Sequence, residues 1–228
     1  MNEPLGKALM RGTRIPSGRG LYETIDSPPT NVKNAILSLV SGRQGHFAYE
    51  SGHHGDLWFD LETLCQRPDT LRQYTAQLAA RLRPYSPDVV CGPLVEGALV
   101  GLLVASELPC NFTYAARFAP SVSDGLFPVE YRLPASLRPL VRGRRVAIVN
   151  DVISAGSAVR GTLQDLQAVS ATIVVVASLV ILGNDFTEFA TDRRIPVESL
   201  AHLPNNLWTP ADCPLCAGGV ALERLAIS

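Results

Sequence analysis

The sequence predicts an α/β protein: a mostly parallel sheet flanked by helices, with a small N-terminal hood. Two observations carry this prediction. Near-continuous apolar runs at Val89-Val90-Cys91, Val146–Val149 and Ala171–Leu182 lack the alternation of a strand with one wet face, so they read as strands buried on both sides. These runs alternate with segments of helical period, the pattern of a parallel sheet covered by crossover helices. With 228 residues, 46% of them hydrophobic and 18% charged, the chain suits one α/β domain with attachments and has enough apolar content for a sizeable core.

Taken in order, residues 1–30 read as an arm rich in Gly, Pro and Arg, without a period. Its arginines would suit an organelle transit peptide, but Glu3, Glu23 and Asp26 oppose that reading. Residues 31–66 form the hood segment: a helix over Val32–Val40 capped by Thr30 or Asn31, then short strands within Phe47–Leu61. Residues 67–205 form the core. Leu71, Tyr74, Leu78 and Leu82 step at helical intervals behind Asp69 as cap, and Pro84 and Pro87 stop the helix. A strand over Asp88–Cys91 ends at Gly92-Pro93, and a helix follows over Leu94–Leu108. Asn111–Ala116 is a strand, and Arg117 to Gly143 a long polar loop. Arg145–Val149 is a strand, followed by small residues and a helix through Leu166. Ala171–Leu182 and Val197–Leu203 complete the sheet, and residues 206–228 form a tail.

Charge and cysteine usage exclude several classes. A formal net charge of −1 leaves no electrostatic footprint for nucleic acid or an anionic membrane. The longest apolar runs, Ile173–Leu182 and Ala98–Ala105, are too short to span a bilayer. Five cysteines, an odd number, with no opening secretory signal, indicate a reducing cytoplasm.

The segment Val146–Arg160 carries the chemistry. A buried strand delivers Asn150 and Asp151 to its carboxyl end, where open α/β sheets bind ligands. Ser154, Ala155, Gly156, Ser157 and Ala158 follow; small side chains let backbone N–H groups approach a ligand, and the hydroxyls add donors. The helix that starts there turns its unpaired N–H groups and its dipole toward the same place, which suits a phosphate monoester. Asp151 is placed to accept sugar hydroxyls. An ordinary strand-turn-helix with a Gly in the turn would show similar spacing. No Gly-Lys-Ser/Thr and no Gly-x-Gly-x-x-Gly occurs, so neither a Walker loop nor a dinucleotide fingerprint is present.

This segment resembles the phosphoribosyl-pyrophosphate (PRPP) motif of type I phosphoribosyltransferases. Three further stretches are similar to the orotate phosphoribosyltransferase group: Gly45-His46-Phe47 leading to Ser51-Gly52-His53 and Trp58-Phe59-Asp60; Cys91–Gly97; and Cys213–Glu223. The resemblance implies transfer of phosphoribosyl from PRPP to a pyrimidine-like base with release of pyrophosphate, by a Mg²⁺-dependent homodimer. It assigns the sugar to Asp151, which also helps position Mg²⁺, the phosphate to Asn150–Ala158, the pyrophosphate to Gly92, Pro93, Glu96 and Gly97, and a basic catalytic role to Arg117.

Four departures from the family pattern stand out. Asn150 replaces the first of two adjacent acids. The stretch Ala116–Leu133 holds no lysine, since Lys7 and Lys33 are the only two in the chain; arginine cannot take over a lysine's proton transfer. Glu50 stands where a basic residue usually precedes the Ser-Gly pair. The Asp-Arg pair that follows the third strand in the orotate group has no match near Leu182-Gly183. Each removes positive or magnesium-binding charge. Hence the alternative function is a weakened homologue that binds PRPP or a nucleotide monophosphate as a sensor; more remotely, it is a structural partner of an active subunit.

Other candidates keep two readings each. Cys213 and Cys216 form a Cys-x-x-Cys that could bind Zn²⁺ with Cys65, His202 or a second subunit, or hold free thiols on a tail turn. His53-His54 could bind metal or phosphate or form a solvent-facing pair. Trp58 and Phe59 could stack on a base or pack the hood. Arg160 could reach the ligand or be a solvated helix charge.

Overall fold

In the computed structural model, residues 41–118 and 125–224 are described. The expected arm (1–30) and the expected helix at 32–40 lie outside them. The main sheet has six strands: β3 (Val89–Pro93), β4 (Asn111–Phe118), β5 (Glu130–Arg132), β6 (Arg145–Ile153), β7 (Thr172–Leu182) and β8 (Val197–Leu203). Their order is β5-β4-β3-β6-β7-β8. All neighbours are parallel except the edge strand β5, which runs against β4. This is the mostly parallel architecture the apolar runs predicted.

Both faces are covered. Helices α1 (Pro68–Leu82) and α2 (Glu96–Ser106) bury Leu71, Leu78, Leu82, Val100 and Val104 against one face. Helices α4 (Ser157–Ala168) and α5 (Asp185–Asp192) bury Val159, Leu163, Leu166 and Phe186 against the other. A single turn, α3 (Arg138–Val141), precedes β6. Asp69, expected to cap the first core helix, lies inside its first turn behind Pro68, where its charge favours the helix dipole.

Three expectations change. The strand expected to stop at Val149 continues to Ile153, because Asn150, Val152 and Ile153 still pair with Ser178, Val180 and Ile181 of β7. The polar stretch from Arg117 includes paired strand: Arg117 and Phe118 extend β4 and pair with Tyr131 and Glu130. Helix α5 was not expected, although Phe186, Phe189 and Ala190 have helical spacing and face the core.

The hood is a second sheet of order β10-β1-β2-β9. Strands β1 (Ser41–Ala48) and β2 (His54–Asp60) form an antiparallel pair. The segment expected as a tail supplies both edges, β9 (Leu207–Trp208) on β2 and β10 (Glu223–Arg224) on β1. Between these lies one short turn, α6 (Pro214–Ala217). No helix among the described residues is long and apolar enough to cross a membrane.

Candidate active site

A cleft of about 890 Å³ opens between the hood and the carboxyl ends of β3, β4 and β6, within the range of small-molecule sites. Its floor is the strand-loop-helix unit singled out in the sequence. Strand β6 brings Asn150 and Asp151 to the cleft, 7% and 5% exposed. Residues 154–156 form the loop, and α4 starts at Ser157.

Gly156 takes φ +78°, and a Cβ there would lie 2.3 Å from Phe186 Cδ2; no other residue meets both demands. No side chain caps α4, which leaves its first-turn N–H groups to the cleft. Ser157 Oγ is buried without a hydrogen-bond partner, a rare state that a bound acceptor or donor would relieve. Ser154 Oγ accepts from Asn205 Nδ2 at 3.2 Å, which keeps its own proton available.

Asp151 is the most perturbed carboxyl group among the described residues. Burial raises its carboxyl from 3.8 to about 7, and the charge of Glu96 adds to the rise, while backbone N–H groups of Val152 and Asp151 oppose it. Neither Arg, Lys nor His among the described residues forms an ion pair with it. Asn150 donates through Nδ2 to Val152 O at 2.8 Å. Its Oδ1 faces Gly97, where a Cβ would come within 2.0 Å. That glycine therefore lets the first turn of α2 lie directly on β6. Pro93, Glu96 and Gly97 line the cleft, and Gly92 lies just beneath them on fully buried β3. The Leu94–Val95 peptide between them is cis.

The hood forms the opposite wall. Trp58 and Phe59 both line the cleft, and Trp58 stacks on Tyr49 at 6.2 Å and 14°. Tyr49 also donates to Leu57 O. Burial pushes its phenol up to about 12, so it stays protonated at neutral pH.

Arg117 also lines the cleft, but its charge is engaged. Its Nε donates to Glu50 Oε2 at 2.9 Å, and Tyr131 Oη donates to the same carboxylate at 3.1 and 3.2 Å. Glu50, read in the sequence as a charge reversal, is thus neutralised within the site. Tyr131 went unnoticed in the sequence; burial and the Glu50 charge drive its phenol well above the usual range. Arg160 stands off the cleft. It donates to Ala155 O at 2.8 Å and lies between Phe127 and Phe189, 4.7 and 3.8 Å from their ring centroids. It braces the loop through its carbonyl side.

Two expectations about metal ligands are corrected. Cys213 and Cys216 meet neither Cys65 nor His202: Cys65 packs against the core, and His202 Nε2 bonds Gly183 O. The two thiols meet His46 and His54 instead. His54 is 7% exposed, not solvent-facing, because β1 and β2 turn both imidazoles under residues 213–220. His53 instead bonds Ser51 Oγ at 3.0 Å and sits edge-on to Phe127.

Residues 63–195 match the model of the family described as Phosphoribosyl transferase domain. The chain is 29% identical over 193 residues to an orotate phosphoribosyltransferase of Thermotoga petrophila, covering 85% of this chain and 96% of the relative. It is 28% identical over 196 residues to an orotate phosphoribosyltransferase of Chlorobaculum parvum, with 85% and 94% covered. Among solved structures it resembles the adenine phosphoribosyl transferase of Trypanosoma brucei (TM-score 0.59, 17% identity, 78% and 81% covered). It also resembles the orotate phosphoribosyltransferase of Mycobacterium tuberculosis (TM-score 0.54, 17% identity, 74% and 94% covered). At these identities the structural likenesses speak for the fold.

Proposed function

Since the chain belongs to the phosphoribosyl transferase domain family, we propose that it is an enzyme of the orotate type, moving phosphoribosyl from PRPP to a pyrimidine-like base. A base nitrogen bonds to the anomeric carbon as the bond from that carbon to the pyrophosphate oxygen breaks. The pyrophosphate leaves with the electron pair, and the proton of the base nitrogen passes to the leaving pyrophosphate or to water. The curated relatives, named orotate phosphoribosyltransferases over 85% of this chain, support the choice of base.

The observation that carries the reading is the uncapped start of α4, with Gly156 at positive φ and the unpartnered Ser157 hydroxyl, beside buried Asp151. In this reading the α4 N–H groups and Ser154 and Ser157 bind the 5-phosphate, and Asp151 accepts the ribose hydroxyls. Backbone from Gly92 to Gly97 meets the pyrophosphate, and Trp58 and Tyr49 wall the base. Fixed geometry and donors aimed at developing charge then supply the rate.

The donor set suits magnesium. Asp151 is buried without a cation, and Glu96 adds like charge, a deficit that a hard divalent ion carrying substrate phosphates would relieve. When bound, the ion draws charge off the leaving pyrophosphate. A homodimer fits the surface of α2 and the preceding loop, where Val95, Leu99 and Leu102 are 51%, 43% and 50% exposed.

One observation favours the sensor reading: Arg117, one of two basic side chains in the lysine-free stretch Ala116–Leu133, is held by Glu50. A steady-state assay of pyrophosphate release with orotate, PRPP and Mg²⁺, beside calorimetry with PRPP, tests both. Turnover dependent on orotate supports the enzyme. PRPP binding without turnover on any pyrimidine transfers the case to the sensor, and absence of PRPP binding overturns both.

A further inference from the structure

Outside the cleft, four side chains with ligand chemistry converge on one point. His46 on β1, His54 on β2, and Cys213 and Cys216 at α6 each bring one nitrogen or sulfur, and these atoms lie within 4.8 Å of one another. None of the four lines the cleft, so what they form stands apart from the reaction proposed above. We infer that they bind a structural zinc ion that fastens residues 213–220 to the hood hairpin.

The distances fit such an ion. With Zn–N about 2.0 Å and Zn–S about 2.3 Å, tetrahedral geometry separates two nitrogens by about 3.3 Å and nitrogen from sulfur by about 3.5 Å. His46 Nε2 and His54 Nδ1 are 3.3 Å apart. Cys213 Sγ lies 3.3 Å from His46 Nε2. Cys216 Sγ lies 3.7 Å from His46 Nε2 and 3.2 Å from His54 Nδ1.

The surroundings fit as well. His46 Nδ1 lies 2.8 Å from Val220 O; donating its proton there, the ring turns a bare Nε2 toward the other three atoms. A backbone acceptor behind a ligating imidazole fixes its tautomer in this way. The loop that carries the sulfurs is itself closed by backbone bonds, Ala217 N to Cys213 O at 3.2 Å and Gly219 N to Cys216 O at 3.0 Å. Two thiolates and two neutral imidazoles balance a divalent charge, which permits burial; His46, His54 and Cys213 are 2%, 7% and 2% exposed. All four positions come from protein, the mark of a structural site as opposed to a catalytic one.

The site also answers a structural need. The hood sheet has edge strands of two residues each, and so small a layer gains from a cross-link in place of core. The ion would tie its two long strands to the segment between its two short ones.

Metal analysis of the full chain, produced without a polyhistidine tag, tests this. The wild type should carry roughly one zinc per chain. Cys213→Ser and Cys216→Ser should reduce that content at least roughly tenfold, while Cys65→Ser keeps it. Cobalt exchanged into the wild type should give the intense visible bands of a tetrahedral ion and a thiolate charge-transfer band. The spectrum decides the matter even if the cysteine variants fail to fold. Far less than one zinc per chain after growth with added zinc, a cobalt spectrum lacking thiolate transitions, or zinc retained by the Cys213→Ser/Cys216→Ser double variant would each overturn the inference.

Discussion

Asp151→Asn offers the sharpest test of the site, because it should separate stability from binding. Burial holds the Asp151 carboxyl at about 7 in the folded protein, against 3.8 when exposed. Between these values the folded chain binds more protons than the unfolded chain, so stability falls as pH rises. A rise of about 3 units at about 1.36 kcal/mol each makes the full cost about 4 kcal/mol. Roughly 2 to 3 kcal/mol of it falls between pH 5 and pH 8. Asparagine does not titrate. The difference in unfolding free energy between variant and wild type should therefore grow by that amount across this range, or about 5–10 °C in Tm for a chain of this size. Unpaired amide hydrogens in the variant offset the gain by about 1–3 kcal/mol, equally at every pH. Urea unfolding of both proteins at pH 5, 6, 7 and 8, without PRPP or Mg²⁺, reads the effect. The same substitution should abolish PRPP binding. Parallel pH profiles for the two proteins would refute the idea that Asp151 is a buried, unpaired acid.

Gly156→Ala combines a left-handed backbone cost of about 1–2 kcal/mol with a clash on Phe186 worth about 1–3 kcal/mol. It should lower stability by urea unfolding and weaken PRPP binding by calorimetry; wild-type values for both would contradict the loop assignment. Glu50→Gln removes the carboxylate that holds Arg117 and Tyr131, so product inhibition by pyrophosphate should strengthen several-fold at low salt and less at high salt. An unchanged inhibition constant would show that Arg117 does not reach the pyrophosphate. Trp58→Ala removes the ring stacked on Tyr49 and should raise KM for the base roughly tenfold, as loss of an aromatic platform does, with PRPP affinity unchanged.

The sheet was legible because Val146–Val149 and Ile173–Leu182 are apolar without alternation, and a strand of that kind has nowhere to lie except between two layers of helices. The strand-loop-helix unit at the cleft floor was legible because its small residues, its acid and its helix are adjacent in sequence. What could not be read depended on distant partners. The extension of β6 through Asn150–Ile153 looks like a polar loop until Ser178–Ile181 pair with it. The engagement of Arg117 by Glu50 spans 67 positions. The imidazoles that meet Cys216 stand up to 170 positions away, and the hairpin of β1 and β2, whose register sets His54 against Ala48, brings His46 and His54 into reach. The one signal left unread nearby was the spacing of Phe186, Phe189 and Ala190.

The pairing of β10 with β1 has a consequence for how the molecule is made. Residues 223–224 follow every element of the six-stranded sheet in the chain, so the cleft wall built on β1 and β2 gains its outer edge after that sheet has been made. Pairing across so long a stretch of chain is slow, and domains form as units while translation proceeds. Newly made chains should therefore pass through a stage with a finished cleft floor and an open wall, and the cleft is complete only after residues 223–224 have been made and have paired with β1.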